Sequence, residues 1–203
     1  MMDMNRVKGF AEENFDDLNC LHTKNVVRLA LEIAGKEGAN KQVVEAAAWL
    51  HDIGKIDKEA KGGNHHLYSI KIAEMVLTKA GAGRESIQKV CQCIKEHMGP
   101  PGEILNKLLE EAGIMPGKLP RPSTIESKCL YDADMIDFLG PFGIAKVIFL
   151  DSKKGKSFAD IIKERKQLTE AAYEDLQTKT GRDIGDEYYR IAKEFYKKLN
   201  MEE

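Results

Sequence analysis

Residues 46–55 read AAAWLHDIGK, and this apolar run ends in the adjacent pair His51 and Asp52. The apolar spacing from about Lys41 onward predicts a helix that ends at Asp52, with Gly54 as a left-handed C-cap. Asp52 would then lie in the last helical turn, where the helix carbonyls already concentrate negative charge. A divalent cation between the imidazole and the carboxylate would remove that conflict. One such pair is weak evidence for a metal site by itself, so further candidate ligands are needed from the rest of the chain.

The composition is that of an ordinary globular protein, and we expect residues 1–203 to form a single domain. Hydrophobic residues make up 42% and the 31 Lys and Arg nearly balance the 33 Asp and Glu, so no attraction to long nucleic acid is predicted. No apolar stretch approaches the ~20 residues of a membrane span, and the N-terminal MMDMNRVKGF lacks a signal-peptide core. The chain is therefore expected to be cytoplasmic, with no membrane partner.

Helical periodicity recurs along the chain while alternating strand-like runs are missing, which predicts an all-α fold. The segment from Pro100 to Pro122 holds five of the six prolines and is predicted to be a surface excursion with one short helix. Ser123 or Thr124 is expected to cap the helix that follows. The expected helices cover about residues 20–35, 41–52, 67–79, 84–97, 104–112, one that carries 130–140, 141–150, and two amphipathic stretches within 157–200 that break at Gly181 to Gly185.

The five histidines all fall near a helix end or in a loop that enters a helix. Their order lets successive antiparallel helices point them at one pocket. Three carboxylates also lie on one otherwise apolar helix, and burying each would cost several kcal/mol without a compensating cation. These side chains are His22, His51, His65, His66 and His97, and Asp132, Asp134 and Asp137.

With these residues in view, the chain resembles the HD-domain superfamily of metal-dependent phosphohydrolases, in its small bacterial and archaeal form. The resemblance is carried by the ordered set His22, His51, Asp52 and Asp134, by HDIGK around the doublet, and by LYDADMIDFLGPFGIAKV at residues 130–147. It runs from residue 22 to about residue 146. It implies a helical bundle with a catalytic core over about residues 20–150 and a C-terminal helical extension over about 157–200.

The resemblance also implies roles for single residues. The implied metal ligands are His22, His51, Asp52 and Asp134. His65 (or His66) and His97 stand where two-metal members place further ligands, and where one-metal members place substrate-contacting or proton-donating histidines. Met98 follows His97 where two-metal members often have a second histidine, so one ion is favoured over two. Lys55 matches a lysine that faces the phosphate in some members.

Two assignments stay open on the sequence. Asp132 and Asp134 are about 200° apart around a helix, so only one of them can face the pocket. The adjacent Ala133 in the family pattern favours Asp134, with Asp132 as the alternative. Of the two neighbouring histidines, His65 is preferred to His66 because it lies four residues before the small Ser69, as in the family.

The ligand types predict the chemistry. Imidazole and carboxylate ligands with open positions suit Mn²⁺, Fe²⁺, Co²⁺, Ni²⁺ or Zn²⁺ more than Ca²⁺, and Mg²⁺ is also compatible. Such an ion lowers the pKa of bound water toward ~7. The expected reaction is attack of the resulting hydroxide on phosphorus, and Asp52 is expected to be a catalytic residue as well as a metal ligand. Lys55 would neutralise charge on the phosphoryl oxygens, and His97 or His65 would protonate the leaving alkoxide. The residues expected to contact the substrate beyond the reacting group are His66, Lys118 and Arg121.

The substrate class is expected to be a small phosphorylated metabolite or a nucleotide. Two rival functions remain. Inositol oxygenase resembles this superfamily and uses two irons in the same ligand order, so a di-iron oxygenase is an alternative. A metal-dependent nucleotide sensor without turnover is the other. The long C-terminal helices can pack on the domain or on a second copy, so a homodimer is compatible with the sequence.

Overall fold

The structure, a computed structural model, describes residues 2–57, 59, 64–100, 102–111, 113 and 119–199. This part of the chain consists of ten α-helices and one 3₁₀ helix and contains no strand, which confirms the predicted all-α fold. The helices are α1 (Met4–Asn14), α2 (Asp17–Glu37), α3 (Lys41–Leu50), α4 (His65–Lys79), α5 (Arg84–Glu96), α6 (Glu103–Glu111), α7 (Ile125–Leu139), α8 (Pro141–Ser152), α9 (Phe158–Glu174) and α10 (Lys179–Lys198). No helix in these ranges is both long and apolar enough to cross a lipid bilayer.

Local capping explains where the helices that carry the site begin and end. The side chain of Asp16 accepts a hydrogen bond from the Asn19 backbone at 2.8 Å and starts α2, which ends at Gly38 in the left-handed conformation, with φ of 72°. Thr124, and not Ser123, caps α7: its hydroxyl accepts from the Ser127 backbone, while the Thr124 backbone donates to the Ser127 hydroxyl. Helix α1 was not predicted.

The break between the last two helices lies at residues 175–178, so the predicted break at Gly181 to Gly185 was wrong. Both glycines lie inside α10, where close packing explains them. A Cβ at Gly181 would overlap the carboxylate of Asp132, and a Cβ at Gly185 would overlap the side chain of Leu176. Glycine here permits close approach between elements and does not interrupt the helix.

The predicted left-handed cap at Gly54 was also wrong. Gly54 belongs to the 3₁₀ helix Ile53–Ile56, and it is absent from the residues with positive φ in the described part of the chain. A Cβ at this position would overlap the backbone of His65 and Ser69, and the Gly54 amide donates a 2.8 Å hydrogen bond to the Ser69 hydroxyl. The glycine therefore lets the start of α4 pack directly on the turn that follows α3.

Helix α7 forms the centre of the fold and packs against α2, α3, α5, α8, α9 and α10. Its residues Leu130, Ala133 and Ile136 are fully buried, at the three-residue spacing of a helix face that contacts the core. Helix α6 also contributes to the core, because Leu105 and Leu109 pack in one cluster with Leu139, Leu168, Ala171 and Ala172. The helical part of the predicted surface excursion is therefore a packed element of the protein.

Candidate metal centre

Six polar side chains from five helices meet at one pocket. Four of them lie at helix ends: His51 and Asp52 follow α3, His65 begins α4, and His97 follows α5. The other two, His22 in α2 and Asp134 in α7, come from two helices that pack against each other. The packing of α2 against α7 thus brings together residues that are more than a hundred positions apart in the sequence.

Three candidate ligand atoms, from His22, His51 and Asp52, lie close enough to share one ion, and a carboxylate oxygen of Asp134 lies beside the two histidines. The Nε2 atom of His22 lies 3.3 Å from His51 Nε2, 3.4 Å from Asp52 Oδ2 and 3.3 Å from Asp134 Oδ1. His51 Nε2 lies 3.5 Å from Asp52 Oδ2 and 4.0 Å from Asp134 Oδ1. Two ligand atoms about 2.1 Å from a common ion are separated by about 3.0–3.5 Å, so this donor set fits a divalent transition metal.

The outer ring nitrogens of both histidines are already engaged by protein acceptors. His51 Nδ1 donates to the Ala48 carbonyl at 2.8 Å, and His22 Nδ1 donates to Asp137 Oδ2 at 2.7 Å. Hydrogen bonds of this kind fix the orientation of an imidazole and direct its other nitrogen at a metal. Both Nε2 atoms consequently face the shared space.

A second set of atoms lies on the other side of Asp52. The Oδ1 atom of Asp52 is 2.9 Å from His65 Nε2, without hydrogen-bond geometry, and 3.8 Å from His97 Nε2. His97 Nδ1 donates to the Ile94 carbonyl at 2.6 Å, so its Nε2 is free to face Asp52. The three side chains could hold an ion together, which makes Asp52 common to two adjacent sets of candidate ligands.

Burial and the neighbouring charges shift the pKa values of the candidate ligands. Burial by itself lowers the pKa of His22, but its three carboxylate partners outweigh burial and raise that pKa to about 10. Burial lowers the pKa of His51 to about 4, against the attraction of Asp52 and Asp134. Burial opposes ionisation of Asp52, but the charges of Lys55 and of neighbouring histidines hold its pKa well below the ordinary value. An imidazolium at His22 therefore provides positive charge among the carboxylates.

The three aspartates of α7 have separate environments. Asp134 contacts His22, whereas Asp132 points to the opposite side and accepts hydrogen bonds from the Gln177 and Thr178 amides, both at 2.7 Å. Asp132 thereby holds the start of α10, and it is Asp134 that lies beside the histidines. Both were considered as ligands from the sequence, and the geometry favours Asp134.

Asp137 was one of the three carboxylates noted in the sequence but was given no role of its own, yet it contacts a candidate ligand directly. It accepts from His22 through one oxygen and from Asn25 Nδ2 through the other, at 2.9 Å. Asp134 and Asp137 are three residues apart in a helix, so they share a face from which Asp132 is excluded. That spacing is the signal that could have identified Asp137 from the sequence.

The residues predicted to contact the rest of the substrate are less well placed. His66 is buried with its ring nearly perpendicular to that of His65, and His65 lines the pocket whereas His66 does not. Arg121 is exposed, lies within electrostatic reach of Asp175, and is not part of the pocket lining. Lys118 lies outside the described residues.

The pocket above the cluster has a volume of about 350 Å³ and two kinds of wall. Beside the candidate ligands it is lined by two cationic side chains, Lys55 and Lys146. Lys146 lies within the quoted LYDADMIDFLGPFGIAKV phrase, but no role was predicted for it. The remaining lining is an apolar wall of Met98, Leu109, Met135, Phe138, Val147 and Leu150, with Asp151, Lys154 and Glu164 beyond it.

The chain is similar in sequence and in fold to known proteins. YpgQ of Bacillus subtilis is 25% identical over 191 residues, which cover 89% of this chain and 82% of YpgQ. Its crystal structure superposes with a TM-score of 0.74 at 21% identity and covers 98% of this chain and 96% of that one, and YpgQ has also been solved in complex with ADP. A predicted HD superfamily hydrolase from an uncultured Thermotogales bacterium has a TM-score of 0.67 at 22% identity, with 98% and 91% of the two chains covered.

The family model of the HD domain matches residues 21–139, more than half of the chain. That range begins one residue before His22 and ends two residues after Asp137, so it includes every candidate ligand described above. The match at the sequence level and the shared fold at the structural level are consistent with each other. The chain belongs to the HD-domain family.

Proposed function

We propose that this chain is a metal-dependent phosphoric ester hydrolase acting on a small phosphorylated metabolite or a nucleotide. The observation that carries the proposal is the position of Asp52, whose two oxygens belong to two adjacent sets of candidate ligand atoms beside a pocket lined by Lys55 and Lys146. HD superfamily hydrolases with the same fold support hydrolysis as the reaction class. The complex of YpgQ with ADP supports a nucleotide as the ligand.

In this proposal His22, His51, Asp52 and Asp134 hold one ion, expected to be Mn²⁺, Fe²⁺, Co²⁺, Ni²⁺ or Zn²⁺, with Mg²⁺ also compatible. When bound, the ion supplies Lewis-acid activation of water and of a phosphoryl oxygen near neutral pH. Asp137 and the Ala48 carbonyl keep the two imidazoles oriented through their Nδ1 atoms. His65 and His97, with the second oxygen of Asp52, provide a place for a second ion.

The protein's own groups handle the charge and the protons of the reaction. Lys55 pairs with Asp52 and lines the pocket, so its ammonium can neutralise charge that develops on the phosphoryl oxygens. His65 and His97 present Nε2 atoms to the same space and are the candidates to protonate the leaving oxygen. Burial lowers the pKa of His65 against the attraction of Asp52, and so opposes the protonated form of this imidazole.

A substrate screen tests the proposal. Metal-stripped protein is reloaded with Mn²⁺, Co²⁺, Ni²⁺ or Mg²⁺ and incubated with nucleoside mono-, di- and triphosphates, cyclic dinucleotides and simple phosphate monoesters, with phosphate and pyrophosphate release as the readout. We expect turnover that requires the metal and that is lost in His51→Ala and Asp52→Ala. If both variants keep the metal content and the rate of the unchanged protein, the proposal is wrong.

A di-iron oxygenase is the second candidate, favoured by the two ligand sets that share Asp52. Metal analysis together with O₂ consumption separates it from the hydrolase. Two irons per chain with O₂ uptake would support the oxygenase, and one ion per chain without O₂ uptake would exclude it. Metal-dependent nucleotide binding without any turnover would indicate a sensor.

A further inference from the structure

One face of α8 forms a wall of the pocket along its whole length. Lys146, Val147, Leu150 and Asp151 line the pocket from this helix, and Lys154 follows just after the helix ends. With a rise of about 1.5 Å per residue, Lys146 and Asp151 are separated by about 7.5 Å along the axis. The wall therefore has two polar ends with the apolar residues Val147 and Leu150 between them.

The end of this wall near the candidate metal centre has a cation, Lys146, whose ammonium lies 5.9 Å over the ring of Phe142 but has no ion-pair partner among the described residues. The charge of Lys146 interacts with Lys55, Asp52, Asp134 and Asp137, but no described carboxylate lies within ion-pair distance of its ammonium. Lys55, by contrast, is paired with Asp52. The Lys146 ammonium faces the pocket, since the residue lines it and is only partly exposed. A largely desolvated cation that no carboxylate neutralises favours an anionic ligand.

At the other end of the wall the charges already neutralise each other. Lys154 lies 2.8 Å from Asp151, and Lys156 lies 2.7 Å from Glu164 and 3.6 Å from Asp151. These two lysines and two carboxylates form an ion-pair network with no net charge. An additional anion there would have to approach two carboxylates whose lysines are already engaged.

We propose that Lys146 binds the phosphoryl oxygens of the ligand and thereby makes the pocket selective for molecules that carry all their phosphates at one end. The neutral, polar part of the ligand then lies against the network of Asp151 and Glu164. The apolar wall lies between this network and Lys146. This inference rests on the proposed function, because it assumes a phosphorylated ligand. It adds a specificity residue that neither the family ligand set nor Lys55 supplies.

The test compares Lys146→Met and Lys146→Arg with Lys153→Met. Lys153 is a matched control because it is exposed at the C-terminal end of α8 and lies 3.8 Å over the ring of Phe149, and it does not line the pocket. Binding to the Mn²⁺-loaded protein is measured by calorimetry with two probes, ADP and adenosine 3′,5′-bisphosphate. Both probes have the same base and two phosphates, but only in ADP are the phosphates at one end.

We expect the unchanged protein to bind ADP at least tenfold more tightly than the bisphosphate. Lys146→Met should weaken ADP binding at least tenfold with unchanged Mn²⁺ content, Lys146→Arg should stay within about threefold, and Lys153→Met should have no effect. Equal binding of ADP by the Lys146→Met and the unchanged protein, or equal affinity of the unchanged protein for both probes, would overturn the inference. Failure of the proposed function would be a separate result. In that case ADP would bind in a Lys146-dependent way, but no phosphate ester would be turned over.

Discussion

His22 Nδ1 donates a 2.7 Å hydrogen bond to Asp137 Oδ2, and both side chains are buried. The bond directs His22 Nε2 toward Asp52 and Asp134, which lie 3.4 and 3.3 Å away. Asp137 itself is fixed by Asn25, which donates to its other oxygen. The orientation of one candidate ligand thus depends on a residue that takes no part in the ligand set.

Replacing Asp137 by Asn should weaken metal binding without removing a ligand. The amide can present a donor to His22 Nδ1, which would leave the imidazole free to rotate or to adopt the wrong tautomer. Loss of such an outer partner lowers metal affinity by about 10–100-fold. Competition with a chelator measures the change, and Asn25→Ala should give a smaller effect because the bond to His22 remains. Unchanged affinity in Asp137→Asn would show that packing alone orients His22.

Substitutions of Asp134 and Asp132, both in α7, should have different effects, one on metal binding and the other on stability. Asp134→Asn should lose the metal at nearly constant stability, because Asp134 faces His22 and His51. Asp132→Asn should keep the metal but lower the free energy of unfolding by about 1–3 kcal/mol, because Asp132 accepts from Gln177 with one oxygen and from Thr178 with the other, and asparagine has only one acceptor oxygen.

Metal content by mass spectrometry and unfolding in urea separate the two effects. Each variant serves as the control for the other, since both change one carboxylate of the same helix to an amide. If Asp132→Asn lost the metal while Asp134→Asn kept it, the ligand assignment would have to be reversed.

The stability of the metal-stripped protein should be highest near neutral pH. The pKa of His22, raised to about 10 by its carboxylates against burial, means that its stabilising charge is complete below its ordinary pKa of 6.5 and is lost as pH rises toward 10. The pKa of His51, lowered to about 4 by burial, has the opposite effect, because stability is lost as pH falls from 6.5 to 4. The two histidines therefore limit stability on the two sides of neutrality.

Urea unfolding of the metal-stripped protein between pH 7 and 8 measures the alkaline side, below the range where buried thiols titrate. We expect the free energy of unfolding to fall by up to about 1 kcal/mol over this unit. The fall should shrink in His22→Gln and in the metal-loaded protein, where a ligating imidazole has already given up its proton. A level or rising stability in the metal-stripped protein would mean that His22 is neutral.

Gly54→Ala should displace the start of α4. The added Cβ would overlap the backbone of His65 and Ser69, which cannot move as a flexible side chain would. Overpacking of this kind costs about 1–3 kcal/mol. Gly83→Ala is the matched control, because no atom lies within 4 Å of its added Cβ. Thermal unfolding of the two variants gives the comparison, and equal melting temperatures would show that the 3₁₀ turn can shift at little cost.

The sequence predicted the helices well because apolar periodicity is a local property of each segment. It predicted the contacts between elements less well. Gly54 and Gly181 were interpreted as helix breakers, yet each is glycine because a backbone or a carboxylate from elsewhere passes too close for a Cβ. Lys146 is twelve residues after Asp134 on another helix, and only the packing of α8 against α7 brings both to one pocket. Local sequence patterns do not show which side chains of different helices face each other, because that depends on how the helices pack.

Arg165 is fully buried in α9, and none of its three guanidinium nitrogens has a hydrogen-bond partner among the described protein atoms. The group stacks on Phe138, with its central carbon 3.7 Å from the ring centroid. Burial lowers the pKa of Arg165 to about 10. A shift of that size from an ordinary value of 12.5 corresponds to about 3 kcal/mol of unfavourable free energy for keeping the charge inside.

Arg165→Met should therefore stabilise the protein, because methionine keeps an unbranched side chain over Phe138 without a charge to desolvate. We expect the free energy of unfolding in urea to rise by about 1–3 kcal/mol, as when other buried charges are replaced by apolar residues of similar volume. Arg165→Ala should lower it instead, because the shorter side chain leaves a cavity beside the Phe138 ring. A loss of stability in Arg165→Met as large as that in Arg165→Ala would show that the stacked guanidinium contributes more attraction than its desolvation removes.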